Sequence, residues 1–151
     1  MSWDTMFTIV NLLALAAWLG LILGPRSALL LAAVLYLGVG LLCLAYAAGL
    51  AGVLTGALDP VGPEGPGANF TSIAGIRSIF ASDGGVVIGW THYLAFDLFV
   101  GLWIARDADA KGFGRLVQAP ILLAAFLAGP LGLLLWLALR ERRARAQGRW
   151  S

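Results

Sequence analysis

Three long stretches without a charged residue constrain this chain more than any other feature. Residues 5–25, 27–58 and 116–139 contain no Asp, Glu, Lys or Arg over 21, 32 and 24 residues. An α-helix needs about 20 apolar residues to cross roughly 30 Å of hydrocarbon, so each stretch is long enough to span a bilayer. With 60% hydrophobic and only 12% charged residues, the composition excludes an ordinary soluble domain. The sequence therefore predicts a multi-pass membrane protein.

A fourth uncharged stretch, at residues 84–105, is interrupted only by Asp97 near its middle. Counting it as a span predicts an all-α, polytopic bundle of four transmembrane helices. The bundle forms a single membrane domain over residues 1–151. Its predicted helices cover residues 5–23, 29–56, 85–105 and 116–139. Pro130 is expected to kink the last of them, because proline removes one backbone hydrogen bond.

The connection at residues 57–82 divides into two parts. The first is rich in Pro and Gly and is expected to be an exposed loop. In the second, at residues 69–82, a helical projection groups four apolar residues within an arc of about 120°: Phe70, Ile73, Ile76 and Phe80. This pattern predicts an amphipathic interfacial helix before the third span. Arg77 falls on the apolar arc, so it is expected either to extend to lipid phosphate or to meet a buried acid.

The basic residues predict an orientation in the membrane. Five arginines lie in the tail at residues 140–151, where they are expected to face the cytoplasm and its anionic lipid. With four spans, this tail shares one side with Arg77, giving six Lys or Arg there and four on the other side. The bias predicts two cytoplasmic termini and argues against a nucleic-acid partner. The Ala-, Leu-, Gly- and Arg-rich composition is typical of a GC-rich bacterium, which makes the inner membrane the expected location.

Two ionisable residues, His92 and Asp97, lie in the third predicted span. An ionised carboxylate at mid-bilayer costs at least about 2.5–3.5 kcal/mol, so Asp97 is expected to face protein, water or a ligand. His92 can exchange a proton near neutral pH, or it can be a hydrogen-bonded structural residue. The two residues lie about 140° apart around a helix and about 7.5 Å apart along it. They do not share a face, so both faces are expected to be buried and this helix is expected to be central.

Depth along the predicted spans places three polar residues at one level. Asn11, Tyr46 and His92 each fall roughly 4–6 Å from the bilayer centre, toward the side of the termini. They are expected either to form one buried polar cluster or to bond to their own neighbours separately. Three tryptophans near span ends are expected to be interfacial anchors: Trp90, Trp103 and Trp136. No metal-ligand spacing or nucleotide-binding motif is visible, so no metal and no cofactor are predicted.

The sequence of the third span closely resembles the signature of a membrane family named for the plant abscisic-acid-deficient mutant and its neoxanthin synthase. The resembling stretch, at residues 89–107, reads GWTHYLAFDLFVGLWIARD. Residues 70–80 resemble the family's segment before this helix. Pro120 and the sequence GPLGLLLW at residues 129–136 resemble its last helix.

This resemblance implies a cofactor-free isomerisation of an epoxy-carotenoid or a related isoprenoid lipid, as in the conversion of violaxanthin to neoxanthin. A base would remove a proton beside the epoxide, and an acid would protonate the opening oxygen. His92 and Asp97 match the motif positions and are the candidates for those catalytic roles. The candidate substrate-binding residues are Asn11, Tyr46, Arg77, Tyr93, Phe96 and Trp103.

A second hypothesis is a non-catalytic pigment- or lipid-binding subunit of a larger membrane complex. In that case the same residues would orient a ligand or fix the packing of the helices. Both hypotheses share the lipid bilayer and a carotenoid or other isoprenoid as partners. Further copies of the chain, or other subunits, are additional partners that the sequence leaves open.

Overall fold

The computed structural model describes residues 2–63, 67 and 69–147, and all regular structure in these ranges is helical. The α-helices are α1 Trp3–Leu23, α2 Ala28–Ala33, α3 Leu41–Leu54, α4 Ile73–Ile79, α5 Asp83–Ala110, α6 Arg115–Leu127 and α7 Gly129–Gln147. A π-helical stretch, Val34–Gly40, joins α2 to α3, so that Ala28–Leu54 forms one helix of 27 residues. The predicted all-α fold is confirmed.

In the part of the chain that the structure describes, three helices are long and apolar enough to cross a membrane: α1, Ala28–Leu54 and α5. They correspond to the first three predicted spans, and α5 continues five residues beyond the predicted end at residue 105. Large apolar side chains such as Leu12 and Leu44 are exposed on their outer surfaces. Lipid rather than water is the solvent that suits such a surface. The chain is therefore a membrane protein.

The prediction of a fourth, continuous span at residues 116–139 is wrong. Two helices, α6 and α7, occupy this region and meet at Ala128, whose backbone leaves the helical conformation (φ −158°, ψ 88°). Pro130 accounts for the break, because its ring would clash with the carbonyl four residues earlier in a continuous helix but is tolerated in a first helical turn. The amides of Leu131 and Gly132 bond to the Ala128 carbonyl instead.

The two helices lie antiparallel and form the α6–α7 hairpin, with its turn at Ala128. Near the turn, Gly132 lies against the backbone of Ala125. At the open end, the rings of Phe113 and Trp136 have centroids 5.0 Å apart. The 13 residues of α6 measure about 20 Å at 1.5 Å per residue, which is too short to cross the hydrocarbon core. The hairpin therefore returns to the end of the bundle from which it started.

The bundle has two ends of different character. At the N-terminal end, where α1 and α5 begin, the Trp3 indole donates to the Asp59 carbonyl at 2.8 Å and packs against Gly84. At the basic end, where α1 and α5 finish, Arg140 of α7 pairs with Asp107 of α5 at 2.6 Å. The start of α1 and the last turns of α7 therefore lie at opposite ends. The prediction that they share one side depended on a fourth span, which the hairpin does not provide.

The central position predicted for the third span is confirmed, because α5 packs against α1, the Ala28–Leu54 helix and the hairpin. Leu98 and Ile104 of α5 are completely buried. Gly101 allows the Trp18 ring of α1 to lie directly on the α5 backbone. The core is thus built around one helix, and the other helices are positioned by their contacts with it.

The helix before α5 is shorter than the predicted residues 69–82, since α4 covers only Ile73–Ile79. The Asn69 carboxamide oxygen accepts hydrogen bonds from the Thr71 backbone N–H at 3.1 Å and from the Ser72 hydroxyl at 3.2 Å. Ser72 in turn caps α4 by accepting from the Gly75 N–H at 3.0 Å. These local bonds hold residues 69–72 in a turn instead of a helix.

Parts of two predicted segments lie outside the described residues: 64–66 and 68 of the loop, and 148–151 of the tail. The described part of the tail is helical, because α7 continues to Gln147.

Candidate functional site

The turn of the α6–α7 hairpin lies against the middle of α5. Asp97, near the centre of this 28-residue helix, is hydrogen-bonded through its carboxylate to the Gly129 backbone N–H. A Cβ atom at Gly129 would overlap the same carboxylate. Irregular backbone at membrane depth requires a partner within the protein, and Asp97 supplies it. Asp97 was expected to face protein, water or a ligand; in this contact it faces protein, although its side chain is only partly buried.

The hairpin covers only one half of α5, because it enters from the basic end, turns at Asp97 and returns. On the other half, an outward-facing surface of α5 remains open. Phe80 limits this surface toward the N-terminal end, where its ring lies on Gly89. We name this surface the α5 notch. It contains the ring cluster of Tyr46 of α3 with His92, Tyr93 and Phe96 of α5, and it ends at Asp97, which contacts the hairpin turn.

His92 lies in the α5 notch and is exposed, so the expectation that both faces of this helix are buried is wrong for it. The imidazole stacks on Phe96 with ring centroids 4.7 Å apart and lies 5.5 Å from the ring of Tyr46. The Tyr93 ring lies edge-on to the imidazole, with ring centroids 6.2 Å apart. These contacts are all aromatic: within the described ranges, no hydrogen bond to either imidazole nitrogen is formed. The ring is positioned but keeps its hydrogen-bonding capacity.

The predicted cluster of Asn11, Tyr46 and His92 is divided between two sides of α5. Tyr46 accompanies His92. Asn11 instead accepts a hydrogen bond from the Trp90 indole at 3.1 Å and donates to the Phe7 carbonyl at 2.7 Å. One depth therefore contains a ring contact on one side of α5 and a hydrogen-bonded pair on another, because α1 and α3 contact different sides of α5.

Two further candidate substrate-binding residues, Arg77 and Trp103, lie away from His92. Arg77 is exposed on α4, and among the described residues it forms no ion pair with an acid. Trp103 lies about 16 Å further along α5 than His92. The guanidinium of Arg140 lies over its ring, 5.5 Å from the centroid. Trp103 thus belongs to the basic end and not to the α5 notch.

A polar network at the basic end was not predicted from the sequence. Asp107 pairs with Arg140 at 2.6 and 3.0 Å, accepts from the Trp136 indole at 2.9 Å and lies 3.5 Å from the Lys111 ammonium. Trp136 is completely buried, so the expectation that it is an interfacial anchor is wrong. Asp107 joins α5 to α7 and closes the hairpin against the bundle.

The Gly-Pro dipeptide at residues 129–130 is the sequence signal that could have indicated the hairpin.

A second network fixes the start of the hairpin. Arg26, in the turn between α1 and α2, lies 3.3 Å from Asp109 and donates to the Gln118 side chain at 2.9 Å. Gln118 completes the triangle by donating to Asp109 at 2.7 Å. Burial, and secondly the charge of Arg115, lower the pKa of the Arg26 guanidinium, while Asp109 opposes this shift. These residues tie α6 to the end of α1.

The chemistry available in the α5 notch is that of proton transfer and hydrogen bonding. Its polar groups are one imidazole, one carboxylate and two phenols. Among the described residues, no group of three or more His, Cys, Asp and Glu side chains is placed to hold a metal ion. The notch also presents aromatic rings to the membrane, with Tyr93 57% and Phe96 56% exposed.

The Gly129→Ala variant is expected to lose about 1–3 kcal/mol of stability, because the new methyl group overlaps the Asp97 carboxylate. Asp97→Ala removes that obstacle, so the loss caused by Gly129→Ala should be smaller in an Asp97→Ala background. Thermal unfolding of the single and double variants in detergent measures this coupling. Asp97→Asn, which keeps an acceptor oxygen for the Gly129 N–H, should be milder than Asp97→Ala.

Gly132→Ala is the matched control for that experiment. A Cβ atom at Gly132 would meet the backbone of Ala125, which no change at Asp97 can move. The loss of stability caused by Gly132→Ala should be the same with and without Asp97→Ala. Equal losses for Gly129→Ala in both backgrounds would contradict the contact between Asp97 and the hairpin turn.

One known family matches this chain. The family model described as ABA DEFICIENT 4-like matches residues 5–136, which is 132 of the 151 residues. The match includes the whole α5 notch and the hairpin turn. No curated protein and no solved structure matches the chain. The family resemblance seen in the sequence is confirmed. The chain belongs to the ABA DEFICIENT 4-like family.

Proposed function

We propose that the protein binds a carotenoid or a related isoprenoid in the α5 notch and isomerises it without a cofactor. Membership of the ABA DEFICIENT 4-like family supports a place in carotenoid metabolism. The observation that carries the proposal is the His92 imidazole, which is exposed, held by aromatic rings and not hydrogen-bonded within the described structure. A polar ring facing hydrocarbon is unfavourable unless it has a partner, and an oxygen atom of a ligand would supply one.

The surroundings of His92 suit an unsaturated apolar ligand. Tyr46, Tyr93 and Phe96 surround the imidazole with ring faces on which a polyene or a ring-shaped end group can pack. The notch is open to the membrane, so such a ligand can enter from lipid without passing through water. Asn11, Arg77 and Trp103 lie elsewhere, so the proposed binding residues are the three aromatic neighbours of His92.

In the proposed reaction, a C–H bond next to an epoxide breaks and the epoxide C–O bond opens. The carbon loses one proton and the oxygen gains one, so the product has the composition of the substrate. His92 carries an imidazole, the side chain that most often acts as a general acid or base. Asp97 lies about 7.5 Å further along α5. Asp97 is proposed as the second proton-transfer group, which requires an end group that extends about 140° around α5 from His92 to the carboxylate.

A non-catalytic binding function is the second candidate, and one observation favours it. The Asp97 carboxylate is already bonded to the Gly129 N–H and lies about 140° around α5 from His92. In this candidate function Asp97 holds the hairpin, His92 hydrogen-bonds a pigment or lipid, and the α5 notch faces a further copy of the chain or another subunit. We propose the bacterial inner membrane as the location of either function.

Purified protein in proteoliposomes is expected to convert an epoxy-carotenoid such as violaxanthin to a product of equal mass and different chromatographic retention. Chromatography with mass detection measures this conversion. Organic extraction of protein purified in mild detergent from its native membrane should also release a carotenoid or other isoprenoid. A stoichiometric pigment that is never converted would support the binding function. Absence of both bound ligand and conversion would contradict the proposal.

A further inference from the structure

The hairpin changes how the basic residues are distributed between the two ends of the bundle. The chain has ten Lys and Arg, of which Arg149 lies outside the described residues, leaving nine. Arg77 on α4 is the one at the N-terminal end. The other eight lie at the basic end: Arg26, Arg106, Lys111, Arg115, Arg140, Arg142, Arg143 and Arg145. A four-span path would have divided the whole sequence six to four.

We infer that the basic end lies on the anionic cytoplasmic leaflet and that the N-terminal end lies on the opposite side of the membrane. Lys and Arg close to the ends of membrane helices are retained on the cytoplasmic side, and Asp and Glu contribute little to this bias. Arg106, Arg143 and Arg145 are exposed at this end, where their charges complement acidic headgroups. The start of α1 and the last turns of α7 are therefore on different sides, in contrast to the orientation predicted from the sequence.

This orientation determines the leaflet into which the α5 notch opens. His92 lies about 7 Å from the middle of α5 toward the N-terminal end, and the hairpin occupies the other half. The open surface therefore faces the non-cytoplasmic leaflet. If the notch binds an isoprenoid, as the proposed function requires, the ligand reaches His92 from that leaflet. The orientation itself does not depend on the identity of the ligand.

Cysteine labelling tests the orientation with two matched positions. Cys43 is the only cysteine, so Cys43→Ser gives a cysteine-free background. Ala57→Cys at the N-terminal end and Ala110→Cys at the basic end both replace exposed alanines. With a membrane-impermeant maleimide, intact spheroplasts should label Ala57→Cys, and Ala110→Cys should be labelled only after lysis. The reverse pattern would overturn the inferred orientation.

A protease-cleavable tag after the last residue tests the hairpin in the same cells. It should be protected until lysis, like Ala110→Cys. A tag that is cleaved in intact spheroplasts while Ala110→Cys stays protected would show a fourth span and overturn the inference.

Quenching of a fluorophore by lipids in one leaflet tests the position of the notch. A fluorophore on Tyr93→Cys should be quenched by brominated lipid in the non-cytoplasmic leaflet. A fluorophore on Leu123→Cys, an exposed position of α6, should be quenched from the cytoplasmic leaflet. Quenching of both from one leaflet would overturn the leaflet assignment. None of these three readouts uses turnover, so these results and those of the isomerisation assay can fail independently.

Discussion

Replacement of His92 by glutamine is expected to lower the isomerisation rate by about 10²–10⁴-fold, because glutamine can hydrogen-bond but cannot exchange a proton near neutral pH. The fold should tolerate the change, since the His92 imidazole makes ring contacts with Tyr46 and Phe96 and is exposed. Initial rates in proteoliposomes over a range of substrate concentrations measure kcat and KM separately. The loss should appear in kcat, with thermal stability and bound ligand close to those of the unchanged protein.

Tyr36→Gln is a suitable control for this experiment. Tyr36 is an exposed aromatic residue of the Ala28–Leu54 helix, outside the α5 notch, and its replacement should leave the rate unchanged. A His92→Gln variant with the unchanged rate would show that His92 is not an acid–base group. A variant that lost ligand affinity but kept kcat would support the second candidate, in which His92 only orients a ligand.

The open position of His92 could not be derived from its position in the sequence. The separation of His92 and Asp97 around the helix, and the central place of that helix, follow from the helical period and are correct. Burial depends additionally on what covers each face. A full-length fourth helix would cover α5 along its whole length, whereas the hairpin ends at Asp97. The expected burial of His92 was therefore wrong for a reason that lies in residues 115–147.

The hairpin itself illustrates a limit of hydropathy. A continuous 24-residue apolar stretch has the same composition whether it crosses the bilayer once or folds back halfway. Pro130 is compatible with both, because prolines are tolerated in transmembrane helices. The structure has α7 packed along α5, with Gly129 at Asp97 and Arg140 at Asp107. Such partners, more than 30 positions apart in sequence, are not specified by any local pattern.

The depth of a residue in the membrane could be predicted better than the side of α5 that it contacts. Counting residues along the spans correctly placed Tyr46 beside His92. The same count gave Asn11 the same depth, but α1 presents Asn11 to Trp90 on another side of α5. The rise per residue fixes depth, whereas the side on which a neighbouring helix packs follows from tertiary contacts such as that of Gly101 with Trp18.

Asp107→Ala is expected to destabilise the protein by about 3–5 kcal/mol, the range for breaking a buried ion pair from one side. The variant removes the carboxylate that pairs with the Arg140 guanidinium, whose side chain is 6% exposed. It also removes the acceptor of the Trp136 indole, which is completely buried. The α6–α7 hairpin should separate from α5 at the basic end. Thermal unfolding in detergent, together with protease sensitivity of α7, measures both effects.

Two comparisons identify the buried charge as the cause. Arg145→Ala also breaks an ion pair of α7, but Arg145 is 73% exposed, so its loss should cost about 0–1 kcal/mol. Adding Arg140→Leu to Asp107→Ala should recover part of the stability, because the buried cation that has lost the Asp107 carboxylate is then removed as well. A loss for Asp107→Ala as small as that for Arg145→Ala would mean that apolar packing alone holds the hairpin. In that case the open notch above its turn would not depend on the polar network at the basic end.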